Sequence, residues 1–560
     1  MTKRRLSNDD YFDHLKSDSS FYSIWRNSFI RKNIRNKLCS NIVIDISLDD
    51  LDQEYKYLSL FSSQDKIENN ILISLTIESK SLLNQYVVHP HKHIINSIWI
   101  QPDEENDDYD QYEQEEEKEG EKEQEDIEST FKIFDCNLIH DGVIKFGFHP
   151  FYSGVKLLGT LPNSLKEICW QSDGDNFNNT DLDNLLSTNL PIGLETLYLP
   201  FHYNIEKDIH LPSSLEKLVY NSNGCKNLEK FIVPPNKTYK DCVPDINSIK
   251  DLQWLENQKW VTTISIVSLP CDLKLDLIPN HITCLTLKNE KVLAGGSLPE
   301  ALESLRCKYI HINGMVLPSN LKHLFVDTWE TKTVLPNSLE SFTVYSFNQP
   351  LQQNSLPPNL KKLELSNYNQ DLKVGVLPQS LTRLDLGSFN KPLCKGVLPY
   401  GLKELIIQKF NNTLGQDSLP KSITTLEMYA YKGSFQDIGC LENLSTLGIL
   451  FLCPSISSLL SNVKVKLIFK DISPNLCLSN TSIKDLELVT VGPSQTRTLH
   501  TGLLPNGLVR LNVNKIPIHT NDIIPNGCVS LHSTLPIKFD ILPPSIKFIN
   551  NKSIKNYFNL

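Results

Sequence analysis

Three histidines at alternate positions, His89-Pro90-His91-Lys92-His93, have spacing that suggests chemistry. On an extended strand they would project to one side, as metal ligands must. No Cys or carboxylate cluster lies nearby to complete a site, so the expectation is a polar loop or edge strand without metal. The 13 Cys are scattered, with no Cys-x-x-Cys pair, and read as reduced thiols packed as small hydrophobes. Glycine-rich phosphate loops, Gly-x-Ser-x-Gly, His-Glu-x-x-His and kinase signatures are absent from the sequence. We expect no catalytic residue, no cofactor and no small-molecule substrate. An enzyme whose site is assembled from distant segments is the least favoured alternative.

Charge narrows the partners. The 560 residues carry a formal net charge of -10. Between Asp103 and Glu128, 16 Asp or Glu face two Lys, Lys118 and Lys122, a local net of -14. The rest of the chain is then about +4, with no basic excess to displace counterions from phosphates, so nucleic acid is not expected as a partner. Residues 102–129 are almost without aliphatic side chains and read as a solvated, disordered linker. The amino terminus lacks the apolar run of a secretory signal. Leu444 to Leu460, the most apolar stretch, is broken by Gly448 and Pro454, so no membrane span is expected. A cytoplasmic protein fits these features.

The elements that position any site come from a repeat. Leu360-Lys361-Lys362-Leu363-Glu364-Leu365 returns as Leu381 to Leu386, Leu402 to Ile407 and Ile423 to Met428, in a strict 21-residue register that Leu339 to Val344 precedes. Each unit begins three residues after a Leu-Pro anchor at Pro336, Pro357, Pro378, Pro399 or Pro420. Nine looser anchors extend the array from Pro162 to Pro543, with residues 220–260 the least readable. The last two apolar residues of each core alternate, as a strand with one buried face requires, and identical strands can pair in parallel. Proline recurs in the return segment, which leaves little room there for a helix. The returns carry aromatic-Asn pairs: Phe347-Asn348, Tyr368-Asn369, Phe389-Asn390 and Phe410-Asn411. The rings should fill the coil interior, and each Asn should bond the backbone of its turn and of the next coil. Gly296, Asn354, Gly375, Gly396 and Asp417 stand two residues before Leu-Pro, where tight corners at positive φ are expected.

This pattern resembles the FNIP repeat, a leucine-rich-repeat-like unit, most closely over residues 335–430. The resemblance implies a solenoid with an interaction role and no catalytic residues. The fold expected is thus a β-rich solenoid of ~21-residue coils with parallel strands. It would occupy residues 130–560, after a basic helical segment (1–40), a mixed strand-rich segment (41–101) and the acidic linker (102–129). Residues 21–38 read as a helix with two apolar stripes, Phe21, Trp25, Phe29 and Ile30, Ile34, Leu38, packing on more than one neighbour.

The expected function is a non-catalytic scaffold that binds another protein. The candidate face is formed by strand positions alternating with the buried Leu: Phe325, Tyr345, Glu364, Arg383, Asp385, Ile406, Glu427 and Tyr429. Trp25 and Arg26 mark a possible docking helix. The sequence around them is similar to the amino-terminal stretch described as F-box-like in FNIP proteins. That likeness implies an alternative, a ubiquitin-ligase adaptor whose repeats select substrates.

Overall fold

The computed structural model describes residues 28–101, 133–149, 156–171, 180–188, 190–201, 203–267, 275–288, 296–309, 317–330, 333–492, 498–550 and 552–553. Two compact units divide the chain, residues 1–264 and 265–560.

In the second unit the 21-residue register becomes a parallel ladder. It runs from Cys284–Leu287 through Ser304–Tyr309, His323–Thr328, Ser341–Val344, Lys362–Leu365, Arg383–Asp385, Glu404–Ile406, Thr425–Glu427 and Thr446–Gly448. Lys464–Phe469, Asp485–Thr490, Arg510–Asn514, Ser530–Ser533 and Phe548–Ile549 continue it. Lys552–Ser553 turns back antiparallel on the last of these. Pairing is in phase, so Leu363, Leu384, Leu405, Leu426 and Leu447 stand opposite one another and are all buried. Each such Leu contributes about 1.5–3 kcal/mol on burial. A solenoid follows, because every coil completes its core only against the next.

The corners form as the residue types predict. Gly296, Asn354, Gly375, Gly396 and Asp417 have φ of 98°, 63°, 85°, 80° and 55°. Gly375→Ala should cost about 1–2 kcal/mol, since a Cβ raises the energy of left-handed backbone even where, as here, there is open space around it. Gly401 has no such constraint, and a Cβ there would meet only the Gln379 carbonyl at 3.9 Å. In the equivalent position Ser380 and Ser422 donate to the Leu360 and Leu402 carbonyls of the preceding coil, both at 2.6 Å. Gly401→Ser should gain the same bond to Leu381 and stabilise by about 0.5–1.5 kcal/mol. Urea midpoints of the two variants check both signs.

The rings of the aromatic-Asn pairs line the interior. Phe347, Tyr368, Phe389 and Phe410 stack at 6.0, 6.4 and 6.1 Å with planes within 9° of parallel. Each Asn side chain bonds the following coil. The amides of Asn369, Asn390, Asn411 and Lys432 donate to the Oδ1 atoms of Asn348, Asn369, Asn390 and Asn411 at 2.8–3.0 Å. This ladder runs along the outer side, with Asn348, Asn390 and Asn411 exposed. Water can replace part of each bond, and Asn390→Ala should cost about 1 kcal/mol. Glu364→Ala should cost less or nothing, and equal urea midpoints for the two would contradict the ladder's role.

The first unit has the same parallel ladder: Val43–Asp45, Leu72–Ile77, Ser97–Ile100, Lys145–Phe148, Glu167–Trp170, Thr196–Tyr198, Lys217–Asn223 and Cys242–Ile246. Its returns differ by including α-helices. Leu48–Leu58, Ser63–Glu68 and Ile249–Leu255 each start on a capping box, Ser47 with Asp50, Ser62 with Asp65 and Ser248 with Asp251. Lys80–Val88 is capped by Ser79. Among the described residues, helical returns thus lie before the strict repeats of residues 335–430. In the second unit the described returns hold only single 3-10 turns. The unreadable stretch 220–260 contains two coils, with Leu-Pro anchors replaced by a 3-10 turn at Leu228–Lys230 and the helix Ile249–Leu255.

Helix Ser28–Leu38 docks differently from expectation. Phe29, Ile34 and Leu38 of its apolar stripes are exposed, while Asn36 is buried. Polar contacts hold it. Asp65 accepts from Asn36 Nδ2 at 2.6 Å and pairs with Lys32 Nζ at 2.9 Å, with Arg35 at 3.8 Å. Burial alone would raise the Asp65 carboxyl, but hydrogen bonds from Ser62, Lys32 and Asn36 outweigh it and hold the group well below the usual carboxylate range. Trp25, Arg26 and the acidic tract 102–129 lie outside the described residues.

Candidate functional site

The outward strand positions of the second unit form three rows that cross the ladder. The central row runs Arg306, Phe325, Thr343, Glu364, Asp385, Ile406, Glu427 and Gly448. Phe325, Glu364, Arg383, Asp385 and Glu427 are half-buried on strands of one sheet, and Tyr345, 40% exposed, and Tyr429, half-buried, stand just beyond the ends of their strands. Ile406 is the exception. Although its register points outward, it is only 6% exposed and is not available as a surface contact.

At the amino-terminal end of this face the rings form a platform. Phe325 and Tyr345 meet edge to face at 5.0 Å, and the Arg306 guanidinium lies 4.0 Å over the Phe325 ring. Sequence reading missed Arg306, although its place two residues after Ser304 in a repeat core marks it as outward.

The middle of the face is acidic. Glu364 and Asp385 stand opposite each other on adjacent strands, an arrangement that destabilises a sheet. Arg383 pairs with Glu404 in the next coil. Burial pushes the Asp385 carboxyl up to about 6, Glu364 and Glu427 add to the rise, and Arg383 opposes it. Burial and Glu427 likewise push the Tyr429 phenol up to about 12. Gly448 leaves space for that ring, since a Cβ there would lie 3.1 Å from Tyr429 Cζ and Oη.

A carboxyl raised from 3.8 to about 6 favours the fold while protonated and costs stability once ionised. Its contribution is therefore complete below pH ~4 and lost as pH rises through about 6. Asp385→Asn should raise stability by about 1–2 kcal/mol at pH 7.5, after discounting for solvent screening, and leave it unchanged at pH 4. Urea unfolding at the two pH values checks the sign.

Other charged pairs bridge successive coils. Lys361 reaches Glu340 at 2.9 Å, Lys466 reaches Glu487 at 2.9 Å and Arg510 reaches Asp485 at 2.8 Å. Exposed pairs of this kind contribute little to stability, and they leave these stretches without net charge.

The three histidines do not share one side of a strand. His89 ends the helix Lys80–Val88 and approaches Asp52 at 3.4 Å, while His91 stacks on Tyr55 at 3.8 Å. Among the described residues no group of three or more His, Cys, Asp or Glu is placed to hold a metal ion. Twelve cysteines are described and all are free thiols. No described helix is long and apolar enough to cross a membrane.

Parallel strands at a 21-residue spacing, a ladder of inward leucines and short returns define a leucine-rich-repeat-like β-solenoid. The FNIP Repeat family model matches residues 331–368, 347–389 and 389–431, so the chain contains FNIP repeats in that stretch. No curated protein matches it in sequence. Among solved structures it is similar to CroV588, described as a novel circular LRR protein, with 22% identity over 83% of this chain and 67% of that one and a TM-score of 0.43. It is also similar to YopM from Yersinia enterocolitica WA-314, with 18% identity over 73% of this chain and 87% of that one and a TM-score of 0.30. A third likeness is to TLR13 in its complex with ssRNA13, with 14% identity over 73% of this chain and 72% of that one and a TM-score of 0.42.

Proposed function

We propose that this chain is a non-catalytic scaffold that binds a protein partner on the outward strand face of its second unit, in the cytoplasm. The observation that carries the reading is the platform of Arg306, Phe325 and Tyr345. Inward leucines and the aromatic ladder already build the core, so folding does not require aromatic rings on the outer face. An exposed Tyr and a half-buried Phe beside an arginine are the kinds of side chain that dominate protein interfaces. Free thiols throughout the described residues support a reducing compartment. No observation among the described residues favours the ligase-adaptor reading, because Trp25 and Arg26 lie outside them.

The test is capture of partners from cytosol by the full chain, compared with the Phe325→Ser/Tyr345→Ala double variant. Specific partners should fall at least tenfold on the variant, whose core is untouched. An unchanged set of captured proteins would remove this face from the function.

A further inference from the structure

We propose that the face takes an extended partner segment bearing an apolar side chain and, two residues away, a lysine or arginine. The apolar group packs against Phe325 and Tyr345, and the cation settles between Glu364 and Asp385. This rests on the reading of the strand face as the docking surface and adds the chemistry of what docks there.

Three observations converge. First, the apolar and acidic parts adjoin. Phe325 lies on the strand His323–Thr328 and Tyr345 directly follows Ser341–Val344, and Glu364 and Asp385 lie on the next two strands. Second, among the described residues no lysine or arginine forms an ion pair with Glu364 or Asp385. Arg383, the basic residue on the Asp385 strand, extends to Glu404, and Glu427 adds a third negative group along the row. Opposed carboxylates on adjacent strands weaken a sheet, whereas an incoming ammonium or guanidinium between them satisfies both. Third, the spacing fits. Adjacent strands lie about 4.8 Å apart, so the centre of the acidic pair is about 7 Å from the Tyr345 coil. Same-side residues of an extended segment are also about 7 Å apart, the length of two residues.

Arg306 closes the other end of the platform. It disfavours a cation at that position, which sets the direction of the segment: apolar residue towards Arg306, basic residue towards Asp385. An acidic segment would meet Glu364, Asp385 and Glu427 together and is repelled. Protonation of Asp385 removes half of the acidic pair. Glu364 on the adjacent strand and Glu427 two strands away repel its charge, and Arg383 on its own strand attracts it, so binding should weaken at acidic pH.

The test selects 12-residue peptides from a random displayed library on the full chain, then measures enriched peptides by fluorescence polarisation. Enriched sequences should share an apolar residue with Lys or Arg two positions away. Their affinity should drop at least tenfold on Tyr345→Ala and at least tenfold on Glu364→Gln/Asp385→Asn. It should also fall about threefold from pH 7.5 to pH 5 on the natural chain and remain constant on the double variant. Circular dichroism confirms that the variants fold; Tyr345 is exposed and Asp385→Asn removes a repulsion. Enriched peptides without basic residues that still depend on Tyr345 would overturn the basic partner and leave the docking face standing. Peptides indifferent to every one of these variants would overturn both. Failure of any peptide to enrich would overturn a short-segment partner while partner capture from cytosol still decides the face itself.

Discussion

Phe389→Ala should lower the stability of the repeat array by about 3–5 kcal/mol, the range for removing a fully buried aromatic ring. Phe389 is completely buried, between Tyr368 at 6.4 Å and Phe410 at 6.1 Å, both within 9° of parallel. Truncation leaves a void that cannot collapse, because the neighbouring rings are held by their own coils. It also removes two ring contacts, worth about 0.5–1.5 kcal/mol each beyond burial. The loss should be local, since each coil contacts its neighbours and little else. Hydrogen exchange should therefore quicken at Leu386 and Ile407, whose amides donate to the Ile406 and Glu427 carbonyls. Phe389→Leu, which keeps most of the volume, should lose less than half as much. A loss under 1 kcal/mol for the alanine variant would mean that the ring ladder does not hold the coils together.

Asp65→Ala is expected to release the helix Ser28–Leu38. Asp65 is 3% exposed and serves both as the capping acid of helix Ser63–Glu68 and as the anchor for Asn36 and Lys32. Removing it leaves Asn36 buried without its acceptor and the Ser62 amide without its cap. Breaking a buried charge network typically costs about 3–5 kcal/mol, and the partial exposure of Lys32 lowers that to about 2–4 kcal/mol. The apolar stripe cannot compensate, because Phe29, Ile34 and Leu38 are largely exposed. Hydrogen exchange across residues 28–38 should approach unprotected rates while the strands from Leu72 onward stay protected. The same group gives a pH signature. A carboxyl held below its unfolded value contributes stability above pH ~4 that is lost as pH falls below it. Asp65→Ala should abolish that part of the acid sensitivity. Unchanged exchange in the variant would show that other contacts dock the helix.

Much of the second unit was legible in advance because its determinants repeat. When Leu363 meets Leu384 and Leu405, or Asn369 meets Asn390, one pattern observed several times states both the element and its neighbour. The five positive-φ corners were readable for the same reason, since few residue types tolerate that conformation. The helices after Ser47, Ser62 and Ser248 were missed, although the Ser-x-x-Asp capping boxes were there to be found. The short apolar runs between them match strand and helix equally well.

What tertiary structure alone decided is aperiodic. Outward alternation placed Ile406 on the face, but burial depends on the side chains around it, and those closed over it. Asp385 is an ordinary acidic residue in its own hexapeptide; its raised carboxyl comes from burial and from Glu364 and Glu427 on other coils. Asp65 gained its role from Asn36 and Lys32, about thirty positions earlier, through contacts that no spacing announces. The amino-acid sequence by itself determined the solenoid, because backbone pairing and leucine burial act between like positions one coil apart. The charge, burial and docking of individual side chains fell to the tertiary structure, because electrostatics and desolvation act between unlike residues that only the folded chain brings together.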